Sequence, residues 1–395
     1  MRPTLQSPEA GATALHATPL RNRFDRMEWA GAFGDLGTLI PFVVAYITIL
    51  GVDPFGILFS FGVAMVVCGA YYKTPFPVQP MKAIGAVATT QAAQTALITP
   101  AAVYGASLVT GVIWLVLGLT GLTKKVADLV ARPVTVGIIL GLGLGFMLDG
   151  IKFMAASWWV SGIALLATLV LLTNRIIPAM FLLLAGGAGI ALLRDPTLFA
   201  ALQEIQIEPR LPAIEIGRIS WSDLLIGVAF LALPQVPLTL GNAIIAITDE
   251  NNHLFPHRAV SERKVSISTG IMNLFSGSVG GVPMCHGAGG MAGHVRFGAR
   301  TGGSLIIVGV LLLLLALFLG PSIHTIFRAV PKEILGVILF LTGAQLALGA
   351  CDFSKDKGER FATIVTAALA MWNVGLAFVA GLAVYHFLKR GWIRL

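Results

Sequence analysis

Charge is scarce in this chain: only 12% of its 395 residues are Asp, Glu, Lys or Arg. Hydrophobic residues make up 56%, and the mean hydropathy is +0.85. No soluble domain of this size needs so much apolar surface, so the composition implies a polytopic helical membrane protein. Cysteine is scarce too. Cys68, Cys285 and Cys351 share no metal-type spacing, which argues against a metal site and a disulfide framework. Cys68 reads as helix packing. The first 26 residues lack an apolar core segment; they hold Pro, Ser, Thr and four arginines. They read as a disordered cytoplasmic tail rather than a signal peptide. No soluble domain is expected after the last span. The net charge of +8 is read as topology, and no nucleic-acid partner is expected.

Against this background one stretch stands apart. Val279 to Gly302 lies between two apolar segments, yet it is Gly-rich and carries Pro283, His286, Arg296 and Arg300. Irregular backbone at membrane depth survives only where protein buries it or it lines a cavity. Pro283 fits a first helical turn, so a helix is expected to start near Met284. The free amides of Met284 to Gly287 would then form an anion site. The alternative is a Gly-rich packing helix kinked at Pro283. Pro75 to Ala88 repeats the device: its prolines enforce extended backbone over Thr74 to Gln79, and a helix opens at Met81-Lys82. Paired interrupted spans in the two halves point to a transporter's central site.

In chain order, the first span runs from Glu28 to about Leu50 with Asp35 inside. A carboxylate there faces a watery cavity or the protein interior, unless it marks a helix end at the interface. Spans two, four, five, six and seven are Phe55 to Tyr71, Pro100 to Leu122, the segment after Arg132-Pro133, Val160 to Thr173 and Ile177 to Leu193. Gly137, Gly141, Gly143 and Gly145 suggest close helix contacts in span five, and Trp158-Trp159 an interfacial belt. Gln91 and Gln94 are placed at a pore mouth. Arg194 to Ser220 is a polar break expected to carry a surface helix. Span eight contains Pro234, Gln235, Pro237, Thr239 and Asn242. Asp249 to Lys264 reads as a basic connector, followed by span nine from about Val265 to Phe275. Spans eleven and twelve are Leu305 to Leu319 and Ile334 to Leu348. Phe361 to Phe387 reads as two short helices broken at Trp372-Asn373, or as one long tilted helix. With both termini cytoplasmic, the outer side holds only Lys152, Arg194, Arg210, Arg218, Arg328 and Lys332. Lys82 stays in the membrane and every other Lys and Arg falls inside.

Two motif blocks carry a resemblance. Pro75 to Ala88, with Pro283 to Gly290 and Phe297 to Gly302, resembles the signatures of the molybdate transporter family. That family is a branch of the SulP anion-transporter superfamily without the STAS domain. Glu28 to Thr38 and Pro234 to Asn242 also look familial, and His294 departs from the pattern, where Gln is expected. The resemblance implies an all-α polytopic membrane protein with the seven-plus-seven inverted-repeat fold of uracil permease. It implies a tail (1–26), core helices 1–4 (27–123), gate helices 5–7 (124–193) and a connector (194–220). Core helices 8–11 (221–320), gate helices 12–14 (321–388) and a second tail (389–395) follow. Substrate would lie between broken helices 3 and 10.

The expected activity is secondary transport of molybdate in a bacterial inner membrane, not enzymatic chemistry, and no cofactor is expected. Sulfate is the runner-up substrate and tungstate a competitor; a proton is a candidate coupling ion, and a homodimer is open. The substrate-binding candidates are Gln79, Met81, Lys82, Thr239, Asn242, Met284, Cys285, His286, Gly287 and Ala288, with Asp35 as coupling candidate. Two helix N-termini of roughly half a charge each and Lys82 together offset a dianion. Lys82 could instead pair with Asp35. His286 is open between anion donor, packing group and proton coupling, with coupling least favoured. Arg296 and Arg300 read as headgroup or loop contacts. A nucleobase permease would want a carboxylate in span eight, and none lies between Leu224 and Thr248. A hydrolase would need a nucleophile with a paired base; a channel would need a continuous open pathway.

Overall fold

A computed structural model describes residues 21–90, 97–123, 125, 131–171, 179–205, 207–296, 298–348, 350 and 354–392. The expectations for Gln91, Gln94, Lys124, Phe297 and Cys351, and for most of the N-terminal tail, lie outside these residues. The described chain is helical, with one two-stranded crossing. The first span is bent: α1 (Arg26–Ala32) ends in a single 3-10 turn over Phe33–Asp35, and α2 (Leu36–Thr48) leaves at 48°. Asp35 therefore sits at a break rather than in a continuous helix.

Then come α3 (Pro54–Tyr72), β1 (Gln79–Pro80), α4 (Lys82–Thr90) and α5 (Pro100–Thr120). Helices α6 (Arg132–Met154), α7 (Trp158–Leu171) and α8 (Ala179–Arg194) complete the first half. The expected surface helix is α9 (Pro196–Gln203). Span eight is one 34-residue helix, α10 (Trp221–Leu254), which passes Pro234 and Pro237 by widening into two π-helical segments. It runs on past Asp249, so the basic connector expected from Asp249 to Lys264 is mostly helix and only residues 255–261 link to α11 (Glu262–Ser278). After β2 (Met284–Cys285) come α12 (Ala288–Arg296), α13 (Gly303–Leu319), α14 (Ile323–Arg328) and α15 (Lys332–Leu348). Phe361 to Phe387 is two helices, α16 (Lys357–Ala370) and α17 (Val374–Lys389), broken at Met371–Asn373 with the Asn373 side chain capping the second.

The two halves pack as pseudo-equivalents. Helix α3 packs on α13 as α5 packs on α11, while α6 and α15 pack on each other and β1 pairs with β2. The helix contacts are backbone on backbone. A Cβ on Gly62 would sit 2.9 Å from the Gly309 carbonyl, and one on Gly150 2.7 Å from that of Gly336. Gly137, Gly141 and Gly143 are such contacts; Gly145 faces open space instead. By length and composition four described helices suffice to cross a membrane: α3, α5, α6 and α10. The bent α1–α2 pair makes a fifth, and the broken spans are shorter.

The 194–220 connector is sewn to one end of the bundle. Its Glu208 and Arg210 amides donate to the Phe318 and Leu317 carbonyls, and Arg210 pairs with Asp53. Arg194 pairs with Glu333, and Arg328 with Asp195. The opposite end is closed by a buried carboxylate. Glu28, 1% exposed, accepts the amides of Arg300 and Thr301 at 2.9 Å and of Ser304 at 3.2 Å. It thereby caps α13 from α1, as an acidic group at a helix N-terminus should. Glu28→Ala leaves these amides without their acceptor and should lower stability by on the order of 2 kcal/mol. Glu28→Gln keeps one acceptor oxygen and should lose less. Thermal unfolding in detergent measures both, and an unchanged melting temperature for Glu28→Ala would remove it as the clasp.

Candidate functional site

The site is built where the two halves cross. Prolines 75, 77 and 80 hold the approach to β1 extended. On the other side, Gly280 at φ 74 turns the chain back after α11. Gln79 then stands opposite Cys285, and Pro80 opposite Met284, in an antiparallel pair. Met81 donates its N–H to the Pro283 carbonyl at 2.8 Å. Asn273 of α11 clamps the second strand from behind. Its Oδ1 accepts the Met284 amide at 2.9 Å, and its Nδ2 donates to the Met284 carbonyl at 2.6 Å. This overturns the expected helix start near Met284. The Met284 backbone is bonded as a strand, and the helix begins at Ala288.

The two broken helices present different N-termini. On α4, the Ala83 and Ile84 amides donate to Gln235 Oε1 at 2.8 and 3.2 Å. Gln235 in turn donates to Thr239 Oγ1 at 2.8 Å, so α10 caps α4. On α12, the amides of Gly287, Ala288 and Gly289 find no acceptor among the described residues. Among the described residues α12 is therefore the more open of the two termini, with three unclaimed amides, and it is shifted along the chain from Met284–Gly287.

Gln79, 1% exposed, lies beside that terminus. Its Nε2 donates to Asp35 Oδ1 and Oδ2 at 2.7 and 2.8 Å, and Thr38 donates to Asp35 Oδ1 at 2.5 Å. Gln79 Oε1 points at Gly287 and has no hydrogen-bond partner. A Cβ on Gly287 would overlap that oxygen and sit 3.4 Å from Asn242 Nδ2. A Cβ on Gly290 would lie 2.7 Å from Asp35 Oδ2, whereas one on Gly289 meets open space. Lys82, half-buried at the start of α4, forms no ion pair with a described residue, so an Asp35–Lys82 pair is not made.

The structure thus brings Asp35, Gln79, Asn242 and Gly287 together, with Ala288 and the exposed Gly289 following along the chain and Lys82 at the start of α4. Met81, Met284 and Cys285 are buried in the strand crossing, and Thr239 is tied to Gln235. His286 turns away. Its Nδ1 lies 2.7 Å from the Pro77 carbonyl, which can only accept, so Nδ1 carries the proton. Nε2 then accepts from Ser268 Oγ at 2.6 Å, and Ser268 Oγ accepts in turn from Tyr72 at 2.8 Å. Edge-on contacts with Phe76 and Tyr72 complete its packing. Arg300 donates to the Val295 and Ala299 carbonyls, a loop contact. Asn273, Gln235, Thr38 and Ser268 were not among the residues expected at the site. Amide side chains inside apolar spans were the available signal.

A family model described as "Molybdate transporter of MFS superfamily" matches residues 27–146 and 227–346. Those blocks contain both strands and both broken helices. Molybdate transporter 2 of Arabidopsis thaliana is 32% identical over 92% of this chain and 87% of its own length. The chain belongs to the molybdate transporter family. Its architecture is that of solved anion transporters. SLC26A9 superposes at a TM-score of 0.66 with 13% identity, over 92% of this chain and 64% of that one. The transmembrane domain of the cyanobacterial bicarbonate transporter BicA gives 0.60 with 16% identity, over 91% and 97%. The expected fold class, an integral-membrane seven-plus-seven inverted repeat, stands.

The glycines of this family member separate packing from access. Gly287→Val should lose both thermal stability and anion uptake, since its side chain displaces Gln79. Gly289→Val should keep its stability and lose uptake. Full uptake by Gly289→Val, measured in proteoliposomes, would move the anion away from the α12 terminus.

Proposed function

We propose that this protein is a secondary transporter that carries molybdate across the membrane, with the anion seated before the N-terminus of α12. The observation that carries this reading is the trio of unclaimed amides at Gly287, Ala288 and Gly289. They lie at the crossing of two broken helices, with Gly289 exposed, in a chain of the molybdate transporter family. A tetrahedral dianion has only acceptor oxygens and asks for N–H donors and positive charge. The α12 terminus supplies donors and roughly half a positive charge. Asn242 Nδ2 adds a donor from α10, and Lys82 adds a full charge from α4. Glycine lets the backbone approach the oxygens closely. Met81, Met284, Cys285 and His286 shape this seat rather than bind the anion, and Thr239 acts through Gln235.

An inside-negative potential opposes entry of a dianion at about 2.3 kcal/mol per charge per 100 mV. Co-moving cations or an exchanged anion must offset that cost, and Asp35 is the carboxylate placed to take up a proton. Both termini are read as cytoplasmic, with 27–123 and 221–320 as core and 124–193 and 321–388 as gate.

Purified protein in proteoliposomes should accumulate labelled molybdate with saturation, and excess tungstate should compete more strongly than sulfate. Flux that never saturates would favour a channel, and stronger competition by sulfate would favour a sulfate carrier. Lys82→Ala should weaken molybdate binding at least tenfold by calorimetry while the melting temperature holds. Unchanged affinity would remove Lys82 from the site.

A further inference from the structure

Gln79 presents a contradiction in charge. Its carboxamide lies between Asp35 and Gly287, one residue before the unclaimed Ala288 amide. An ionised Asp35 can only accept, so the amide must turn its NH2 to the carboxylate. It does so, at 2.7 and 2.8 Å to the two oxygens. The carbonyl oxygen is then forced toward Gly287, where it is buried and without a partner. A lone acceptor facing a ligand made only of acceptors repels it, and a buried unpaired carbonyl is itself costly.

We propose that Gln79 is an amide switch that couples one proton on Asp35 to the binding of one oxyanion. Taking a proton from solution, Asp35 forms an O–H bond and becomes a donor. Gln79 rotates its carboxamide about the last side-chain bond, so that Oε1 accepts from Asp35 and Nε2 faces the anion. The two ends of a carboxamide are nearly the same size, so the rotation leaves the backbone in place. In one orientation the site repels the anion, and in the other it donates to it. The buried orphan oxygen is satisfied only in the second.

The other ionisable groups around Asp35 are few. Lys82 comes from α4, Cys285 from β2 and His294 from α12; Glu28 of α1 is committed to the amides of α13. His294 Nδ1 donates to the Gly31 carbonyl at 2.8 Å. Asp35 and His294 share a small cavity with Ala32, Leu39, Met65 and Val308. About 10 Å³ of it is open to a water-sized sphere, close to what a single water requires. A water held there would contact the carboxylate.

The inference rests on the reading that the anion sits before α12, and proton counting separates the two. Molybdate binding to the purified full-length protein is followed by calorimetry in two buffers of different ionisation heat. Wild type should take up about one proton per anion, with affinity falling about tenfold per pH unit over the range where Asp35 is ionised. Asp35→Asn offers Gln79 a permanent donor. It should bind molybdate with no such proton uptake and with an affinity that no longer depends on pH. Protonation of the anion itself is common to both proteins and cancels in the comparison. Gln79→Leu should bind at least tenfold more weakly than wild type at low pH and show no linkage. Tight binding by wild type without proton uptake would overturn the switch and leave the transport reading intact. Proton uptake retained in Asp35→Asn would overturn it as well. No binding of molybdate or tungstate to wild type would sink both.

Discussion

Backbone polar groups cut off from water must find partners within the protein, and everything at the centre of this molecule follows from that. Two chain segments leave helical geometry in the middle of the bundle. Each exposes amides and carbonyls that no helix will satisfy. The strands satisfy some of them mutually, with the Met81 amide on the Pro283 carbonyl. The prolines lower the demand by carrying no N–H at all. Side-chain amides supply the rest. Asn273 behaves as a third strand one residue long, and Gln235 acts as a cap delivered from another helix. Among the described residues the amides of Gly287, Ala288 and Gly289 at the start of α12 are left without an acceptor.

The same accounting explains why the two halves are alike in fold and unlike in chemistry. The first helix of each half reaches toward the broken helix of the other. From α10 comes Gln235, which closes the α4 terminus. From the α1–α2 break comes Asp35, which binds Gln79 and stands beside Gly290 without closing α12. One repeat therefore contributes a sealed end with Lys82 near it, and the other an open end with a carboxylate near it. The two ends thus carry opposite charge, with Lys82 on one side and Asp35 on the other.

Much of this architecture was legible in the residues. Span positions followed from apolar runs, and the pairing of broken spans followed from prolines placed before a helix start in both halves. The break at Trp372-Asn373 announced itself by a polar residue suited to capping. What could not be read were the long-range side-chain bonds. Pro283 signals a helix start equally well whether the helix begins at once or after a strand. The choice was made by Asn273, which lies ten residues upstream and makes no local pattern with it. The run of Asp249 to Lys264 looked like a loop because it is polar. It is largely helix because α10 continues beyond the apolar layer. His286, the most conspicuous polar residue of the Gly-rich motif, turned out to be held by Pro77 and Ser268, neither of them near it in sequence.

The two ends of the bundle are fastened by different physics. At the Glu28 end a dry carboxylate binds backbone amides, and dissolved ions have little access to it. At the connector end the fastenings include ion pairs with at least one exposed partner, among them Arg210 with Asp53 and Arg328 with Asp195. Such exposed pairs are weak, and they weaken further as salt screens them over roughly 10 Å. Added salt should therefore slacken the connector end and leave the Glu28 end as it is, so the two ends of one bundle answer to different solvents.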